Sequence, residues 1–84
     1  MSGRQKRHAK LPEWERHLLS DVGRRIRSER KRQGTTIAQL AELVGVDASY
    51  LGELERGRAN VSVTTLAALA RALGTVVAAL VPAE

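Results

Sequence analysis

The stretch that most constrains the fold of this chain is residues 37–56, IAQLAELVGVDASYLGELER, which indicates two short helices joined by a tight turn. Gly45 is expected to end the first helix, because glycine readily takes the left-handed backbone of a helix C-cap. Asp47 is predicted to cap the second helix by accepting hydrogen bonds from its free N–H groups. Ala41 is small enough to let the two helices pack closely. The inner faces of the pair are predicted to be apolar at Leu40, Val44, Val46, Leu51 and Leu54.

Two helices joined in this way form the helix-turn-helix signature, which places its second helix in the major groove in the proteins that read DNA with it. The alternative is a plain helical hairpin with no role at DNA. Both interpretations predict a small all-α domain. The 84-residue chain has no Phe, and the aliphatic core that it must build suits packed helices. The chain also has no Cys, so neither a disulfide nor a Cys-based zinc site is available to stabilise it.

Basic residues are concentrated at the N-terminal end of the chain. Residues 1–33 carry eleven Lys or Arg and four Asp or Glu, a net charge of +7, whereas residues 34–84 carry three and five, a net charge of −2. This asymmetry favours a polyanionic partner for the N-terminal third. The first ten residues, MSGRQKRHAK, lack apolar periodicity and are predicted to form a disordered basic arm. The arm either contacts DNA phosphates or a minor groove, or acts only as a solubilising tail.

Helical periodicity begins near residue 11 and continues to about residue 32. Apolar residues recur every three or four positions, at Leu11, Trp14, Leu18, Val22 and Ile26. The stretch is either one long helix or two segments broken near residues 20–21, with residues 11–21 as an N-terminal helical extension. Trp14 is interpreted as a packing anchor, and the extension is expected to lie on the domain or on a partner chain.

Local signals also mark the later helices. Thr36 and Gln39 have the spacing of a capping box, in which each side chain accepts from the backbone N–H of the other residue. Ser62 is predicted to cap a fourth helix with an apolar stripe at Leu66, Leu69, Ala70 and Leu73. Thr75 is expected to cap a short fifth helix over residues 76–81, although the sequence VVAALV also suits a strand.

Nothing in the sequence points to an enzyme, a metal site or a cofactor. The two histidines, His8 and His17, lie in the arm and the first helical segment, and no nucleophile–base pair, metal-ligand cluster or phosphate-binding loop is present. No apolar run is long enough to span a membrane, and the polar N-terminus lacks the apolar core of a secretory signal. We therefore expect a cytoplasmic protein that is not an enzyme and needs no cofactor.

Four segments resemble the lambda-repressor-like, Cro and xenobiotic-response-element (XRE) family of regulators, and especially the controller proteins of restriction–modification systems. They are RKRQG at residues 30–34, LAELVGV at 40–46, YLGELERG at 50–57 and LAALARALG at 66–74. The resemblance covers residues 22–81 and implies a compact five-helix DNA-binding domain, with residues 82–84 as a tail. The helix-turn-helix at residues 37–56 is part of this domain, and the extension and the basic arm precede it.

The resemblance implies a sequence-specific transcriptional regulator, such as a repressor, that places its third helix in the major groove of double-stranded DNA. The residues expected to read bases are Ala48, Ser49, Tyr50, Gly52 and Glu53. Direct readout by this set is modest, since Ala48 offers only a methyl group to thymine, and Glu53 accepts from cytosine but is repelled by phosphates. Gly52 either lets the helix approach DNA closely or is simply tolerated at an exposed site.

Phosphate contacts are therefore expected to supply most of the affinity. The candidates belong to the first helix, the start of the second helix and the link after the third: Arg24, Arg27, Thr36, Arg56, Arg58 and Asn60. Asn60 is interpreted rather as a brace for the turn before the fourth helix. The resemblance also implies a structural ion pair between Arg30, on the inward face of the first helix, and Glu55.

A homodimer on an inverted-repeat operator is expected, because one such domain touches few base pairs. The dimer surface is expected in the apolar C-terminal segment, at Val76, Val77, Leu80 and Val81. The main rival function is a protein-interaction module of the same fold, either an antitoxin that caps a toxin or a co-regulator that binds an RNA polymerase subunit or sigma factor. A membrane-surface peptide is a weaker rival, because the Glu residues and the apolar C-terminal core argue against it.

Overall fold

A computed structural model describes residues 12–83 of the chain, so the predicted basic arm at residues 1–10 lies outside the described residues. The described chain is all-α and contains no strand, which confirms the predicted fold class and excludes the strand considered for the C-terminal segment. Within it, no helix is both long enough and apolar enough to cross a bilayer. The helices are α1 (Glu13–Arg32), α2 (Ile37–Val44), α3 (Ala48–Glu55), α4 (Val63–Ala72) and α5 (Val77–Leu80).

One apolar core joins all five helices. α1 packs against α3 and α5, α2 packs against α3 and α4, and α4 also packs against α5. Burial of a large aliphatic side chain stabilises a fold by about 1.5–3 kcal/mol, so the most deeply buried positions dominate the stability of this small domain. These are Ile26, Leu40, Leu51, Leu54, Leu69, Leu73 and Leu80.

The predicted N-terminal caps of α2 and α4 are present, and that of α5 is not. The Gln39 N–H donates to Thr36 Oγ1 at 3.0 Å, and the Thr36 N–H donates to Gln39 Oε1 at 2.9 Å, which completes the capping box of α2. Ser62 Oγ accepts from the Thr65 N–H at 3.1 Å and caps α4. The predicted cap of the last helix is wrong, because α5 begins one residue later with Val76 at its N-cap and no side-chain hydrogen bond there.

The N-terminal extension is continuous with the rest of α1. A single 20-residue helix spans both segments, so the possible break at residues 20–21 is absent. Trp14 is 63% exposed and Leu18 is 38% exposed, and the interpretation of Trp14 as a packing anchor is wrong within this chain. Both side chains line a shallow groove together with His17, Asp21 and Pro82.

α1 crosses the end of α3 very closely at Gly23, a residue that the sequence analysis did not single out. Gly23 is buried. A Cβ atom placed on it would overlap the carbonyl oxygen of Leu54 and lie 2.6 Å from that of Glu55. Both obstacles are backbone atoms of α3, so a side chain at residue 23 would require the two helices to move apart.

Gly23→Ala is therefore expected to destabilise the protein. Overpacking of a core costs about 1–3 kcal/mol, and we expect the upper end because no flexible side chain can move aside. Gly52→Ala is the matched control: its Cβ would meet only the end of the Arg56 side chain, at 3.3 Å. Since alanine is the better helix former by about 1 kcal/mol, the control is expected to be as stable as the wild type or more stable. Chemical denaturation measures both variants, and equal midpoints for the two would contradict the close crossing.

Candidate nucleic-acid interface

The turn between α2 and α3 has the geometry that glycine at residue 45 permits. Gly45 has a φ of 85°, in the left-handed region, and its N–H donates to the Ala41 carbonyl at 2.8 Å. The Val46 N–H donates to the same carbonyl at 3.0 Å. Ala41 is only 3% exposed, so a larger side chain there would push the two helices apart. These contacts fix the angle between α2 and α3 and hence the direction in which α3 faces.

The start of α3 is held by apolar packing rather than by a side-chain cap. Asp47 occupies the N-cap position, but its side chain makes no capping hydrogen bond, so the predicted Asp47 cap is wrong. Val46 packs against the core just before the cap, and Leu51 is fully buried in the next turn. This spacing is that of a hydrophobic staple, which fixes the angle at which the chain enters the helix.

The outward face of α3 is a stripe of three polar side chains, Ser49, Glu53 and Arg56. Their spacing of four and then three residues places them on one side of the helix, opposite the buried Leu51 and Leu54. Ser49 and Arg56 are exposed and Glu53 is half-buried. Arg56, which was predicted to contact only phosphate, thus shares this face with Ser49 and Glu53, two of the predicted base readers.

The other predicted base readers differ in accessibility. Ala48 is exposed at the edge of the outward face, whereas Gly52 is buried, so the expectation that Gly52 lies at an exposed site is wrong. Tyr50 is half-buried, and its hydroxyl donates to the Asn60 carbonyl at 2.6 Å. Burial raises the pKa of Tyr50 above its ordinary value. Tyr50 thus braces the link between α3 and α4, and Asn60 takes part in this brace through its backbone.

Gly52 is buried because the side chain of Arg56 lies over it. Nη1 of Arg56 is 3.3 Å from the position of a Cβ placed on Gly52 and 3.2 Å from Oε2 of Glu53. The Arg56 side chain therefore runs back along α3 toward the N-terminus of the helix, the direction in which helical side chains point. The side chains of Arg56 and Glu53 remain 57% and 46% exposed, so both are accessible to a ligand.

The residues predicted to contact phosphate are all exposed, but three of them have other partners, including Arg56, which pairs with Glu53. The predicted residues are Arg24, Arg27, Thr36, Arg56, Arg58 and Asn60. Arg24 donates to the carboxylate of Asp21 at 2.7 Å. Thr36 uses its hydroxyl oxygen as the cap of α2. Arg27 and Arg58 therefore have the simplest geometry for a contact with DNA.

α1 carries basic residues on two different flanks. On one flank, Arg25 donates to the Ala79 carbonyl at 3.5 Å and so faces α5. On the other flank, the Cα of Ser20 is 2.8 Å from the position of a Cβ placed on Gly57, which puts the link after α3 against α1. Arg27 follows Ser20 by about two helical turns and lies on the same flank. Arg27 also lies one helical turn after Gly23, which contacts the end of α3, and Arg58 is the neighbour of Gly57 in the link after α3.

A buried ion pair ties α3 to α1. Arg30 donates through Nε to Oε2 of Glu55 at 2.7 Å and through Nη2 to Oε1 at 3.0 Å, a bidentate arrangement. Its Nη1 donates to the Thr35 carbonyl at 2.8 Å. Both charged residues are buried, and the hydrogen bond with Glu55 raises the pKa of Arg30. The structure thus contains the pair that the resemblance implied, and the pair also holds the turn between α1 and α2.

The C-terminal segment offers a smaller apolar surface than the sequence analysis expected. Leu80 is 0% exposed and belongs to the core of its own chain, so its assignment to a dimer surface is wrong. Val77 and Val81 are half-buried and pack against the core. Val76 is 64% exposed, which leaves it as the main apolar side chain of this segment that a second protein can reach.

Two polar residues that the sequence analysis did not single out fasten α1 to the C-terminal half. Gln33 Nε2 donates to the Leu73 carbonyl at 3.1 Å, at the end of α4. Arg25 makes the contact with α5 described above and also donates to Asp21 at 3.1 Å. Both distant acceptors are backbone carbonyls, which carry no residue-specific signal in a sequence.

Comparison with known families identifies the fold. A family model described as helix-turn-helix (HTH_3) matches residues 26–76, more than half of the chain. The chain belongs to this helix-turn-helix family. The immunity repressor protein of Bacillus phage phi105 is 48% identical over 63 residues, which are 75% of this chain and 44% of the repressor. The chain therefore spans less than half the length of that relative.

Solved structures of the same helix-turn-helix family give a close match. The restriction–modification controller protein C.AhdI from Aeromonas hydrophila has a TM-score of 0.72 and 40% identity, with 74% of this chain and 94% of that protein covered. SinR, a master regulator for biofilm formation whose structure was solved in complex with DNA, has a TM-score of 0.67 and 37% identity, with 70% and 95% covered. The resemblance to lambda-repressor-like regulators and controller proteins is thereby confirmed.

Glu55→Ala is expected to lower the free energy of unfolding by about 3–5 kcal/mol, because it leaves the buried Arg30 guanidinium without its carboxylate. Glu53→Ala is the matched control, since it removes the same side chain from an exposed pair and is expected to cost less than about 1 kcal/mol. Chemical denaturation of both variants tests the difference. Similar small losses in the two variants would contradict a structural role for the buried pair.

Proposed function

We propose that this protein is a sequence-specific DNA-binding transcriptional regulator that presents α3 to the major groove. The observation on which the proposal rests is the polar stripe of Ser49, Glu53 and Arg56 on a helix whose opposite side is locked into the core. Helices of this kind meet base edges with residues near their N-terminus. The DNA complex of SinR, at 37% identity, supports the assignment.

Exposed arginines on α1 and in the link after α3 would supply the affinity. Arg27 on α1 and Arg58 in the link after α3 are placed to bind phosphates, with the predicted contacts of Arg24, Thr36 and Asn60 as additions. Ala48 and the half-buried Tyr50 contribute little hydrogen bonding to bases. Part of the specificity would therefore come from the shape and deformability of the DNA.

We further propose that the regulator binds as a homodimer through the α5 end of the domain. One domain reads only a few base pairs, and a two-fold pair doubles the site and gives it inverted symmetry. Exposed Val76, with the outer sides of Val77 and Val81, provides the apolar contact. Leu80 has no part in this surface, because it is buried in the monomer.

The exposed side chains of Trp14 and Leu18 favour a second function, docking of a protein partner such as a toxin or an RNA polymerase subunit. Two large apolar side chains beside one groove are more than an isolated soluble domain needs on its surface. A complex between SinR and the SinI protein, also at 37% identity to this chain, supports a partner of this kind. A protein that binds such a partner tightly and shows no preference among DNA sequences would support this second function over the first.

Selection from a random-sequence DNA pool is expected to enrich an inverted repeat with half-sites about 34 Å apart. Affinity for the enriched site is expected to fall steeply with salt. Arg27→Gln and Arg58→Gln are each expected to weaken binding to all sequences alike and to lower the slope of log affinity against log salt by about one. Arg25→Gln is the control, since Arg25 faces α5, and its slope is expected to stay unchanged. Equal affinity for enriched and shuffled DNA would contradict the proposed function.

Val76→Glu is expected to convert the dimer to a monomer and to weaken binding to an inverted repeat more than binding to a half-site. The reason is that an apolar contact would then bury two carboxylates, one from each protomer. Val63→Glu is the matched control, because Val63 is 78% exposed at the first residue of α4 and does not belong to the C-terminal segment. Sedimentation analysis measures the state of both variants. A Val76→Glu variant that sediments as a dimer would exclude this surface.

A further inference from the structure

We propose that Arg56 and Glu53 together recognise a G·C base pair, and that Gly52 leaves room for the Arg56 side chain on the surface of α3. This inference rests on the proposed function, since it concerns how α3 reads DNA. It changes the assignment of Arg56 from phosphate to base, and it gives Gly52 a role that differs from both roles considered from the sequence.

The position of the Arg56 guanidinium is set by contacts within α3. Arg56 follows the last residue of the helix, but its side chain turns back so that Nη1 comes within 3.2 Å of Glu53 Oε2. The guanidinium therefore lies beside Gly52 and Glu53, nearly one turn closer to the N-terminal end of α3 than its own Cα. This places the charge on the outward stripe with Ser49 and Glu53. A side chain held along the recognition helix is presented to base edges, whereas one that extends away from the helix end would reach the phosphates.

The hydrogen-bonding groups of Arg56 and Glu53 match those that a G·C base pair offers in the major groove. An arginine guanidinium donates two parallel hydrogen bonds to O6 and N7 of guanine, and a carboxylate accepts from N4 of cytosine. Only Nη1 of Arg56 is engaged by Glu53, so the remaining donors of the fork can face a guanine. The ion pair also offsets the negative charge of Glu53, which lowers the repulsion of this carboxylate by DNA phosphates. Glu53 thereby becomes compatible with a position in the groove.

Gly52 provides the space that this arrangement needs. Gly52 is not among the glycines with positive φ, so residues other than proline can adopt its helical backbone conformation. Outside its chain neighbours and the nearby backbone of its own helix, Nη1 of Arg56 is the one atom within 4 Å of a Cβ placed on Gly52. A methyl group at residue 52 would therefore push the guanidinium aside by a few tenths of an ångström, and a longer side chain would compete with it for the same place on the helix surface. Glycine at this position is explained by the packing of Arg56.

The first test compares binding sites selected from random DNA by the wild type and by Arg56→Gln. The wild type is expected to enrich one G·C pair per half-site that depends on Arg56. Arg56→Gln is expected to lose the preference at that position alone and to bind the wild-type site about 10- to 100-fold more weakly. An unchanged set of preferences would overturn the inference, as would a uniform loss of affinity with a salt slope lower by about one, the behaviour of a phosphate contact.

The second test distinguishes two roles of Gly52. Its lack of a side chain either leaves room for the Arg56 guanidinium or lets the helix approach DNA closely. Gly52→Ala is expected to weaken the same base preference as Arg56→Gln, while circular dichroism shows an intact fold. In the Arg56→Gln background, Gly52→Ala is expected to have no further effect, because the displaced guanidinium is already gone. Additive losses in the double variant would show that the added methyl group meets DNA itself and would overturn this role of Gly52. A wild type that enriches no sequence would overturn both the proposed function and this inference, whereas the other contrary outcomes overturn the inference alone.

Discussion

The contact between α1 and the C-terminal end of α3 is the constraint on which the rest of the structure depends. α3 has only eight residues, and a helix of that length is not stable in water without tertiary packing. Gly23 lets the two backbones approach, and the ion pair between Arg30 and Glu55 fixes their register. Buried ion pairs add little net stability, but breaking one leaves a charge without a partner. The main role of the pair is therefore to specify one orientation of α3 relative to α1.

Because the contacts that hold α3 in place lie on its inner face, its outer face can consist of small and polar residues. Ser49, Glu53 and Arg56 contribute nothing to the core, and Gly52 has no side chain to bury. The bracing hydrogen bond from Tyr50 to the Asn60 carbonyl fixes the link that follows the helix. The inner face of α3 and the link after it thus fix the position of the helix. The residues of its outer face then determine what the helix binds.

Local signals in the sequence predict most of the helices, but they leave open whether α1 is continuous and whether the last segment is a helix or a strand. The features that they miss depend on tertiary contacts. Gly45 and the capping box of Thr36 and Gln39 act within one turn of chain, so their patterns are visible in the sequence. The close approach at Gly23, the cover that Arg56 places over Gly52 and the burial of Leu80 each depend on atoms that periodicity does not locate. Asp47 shows the opposite error, because a residue type that often caps helices occupies the right position without making the bond.

The burial of Leu80 connects the proposed dimer surface at α5 to the proposed DNA-reading surface of α3. α5 is a single turn, and Leu80 anchors it to the core while Arg25 of α1 holds the Ala79 carbonyl. Gly23, only two residues earlier on the same continuous helix, contacts the end of α3. α1 is thus a common support for the segment proposed to pair two protomers and for the helix proposed to read DNA. Pairing through α5 would therefore set the separation of the two α3 helices with little freedom, and a fixed separation is what recognition of an inverted repeat requires.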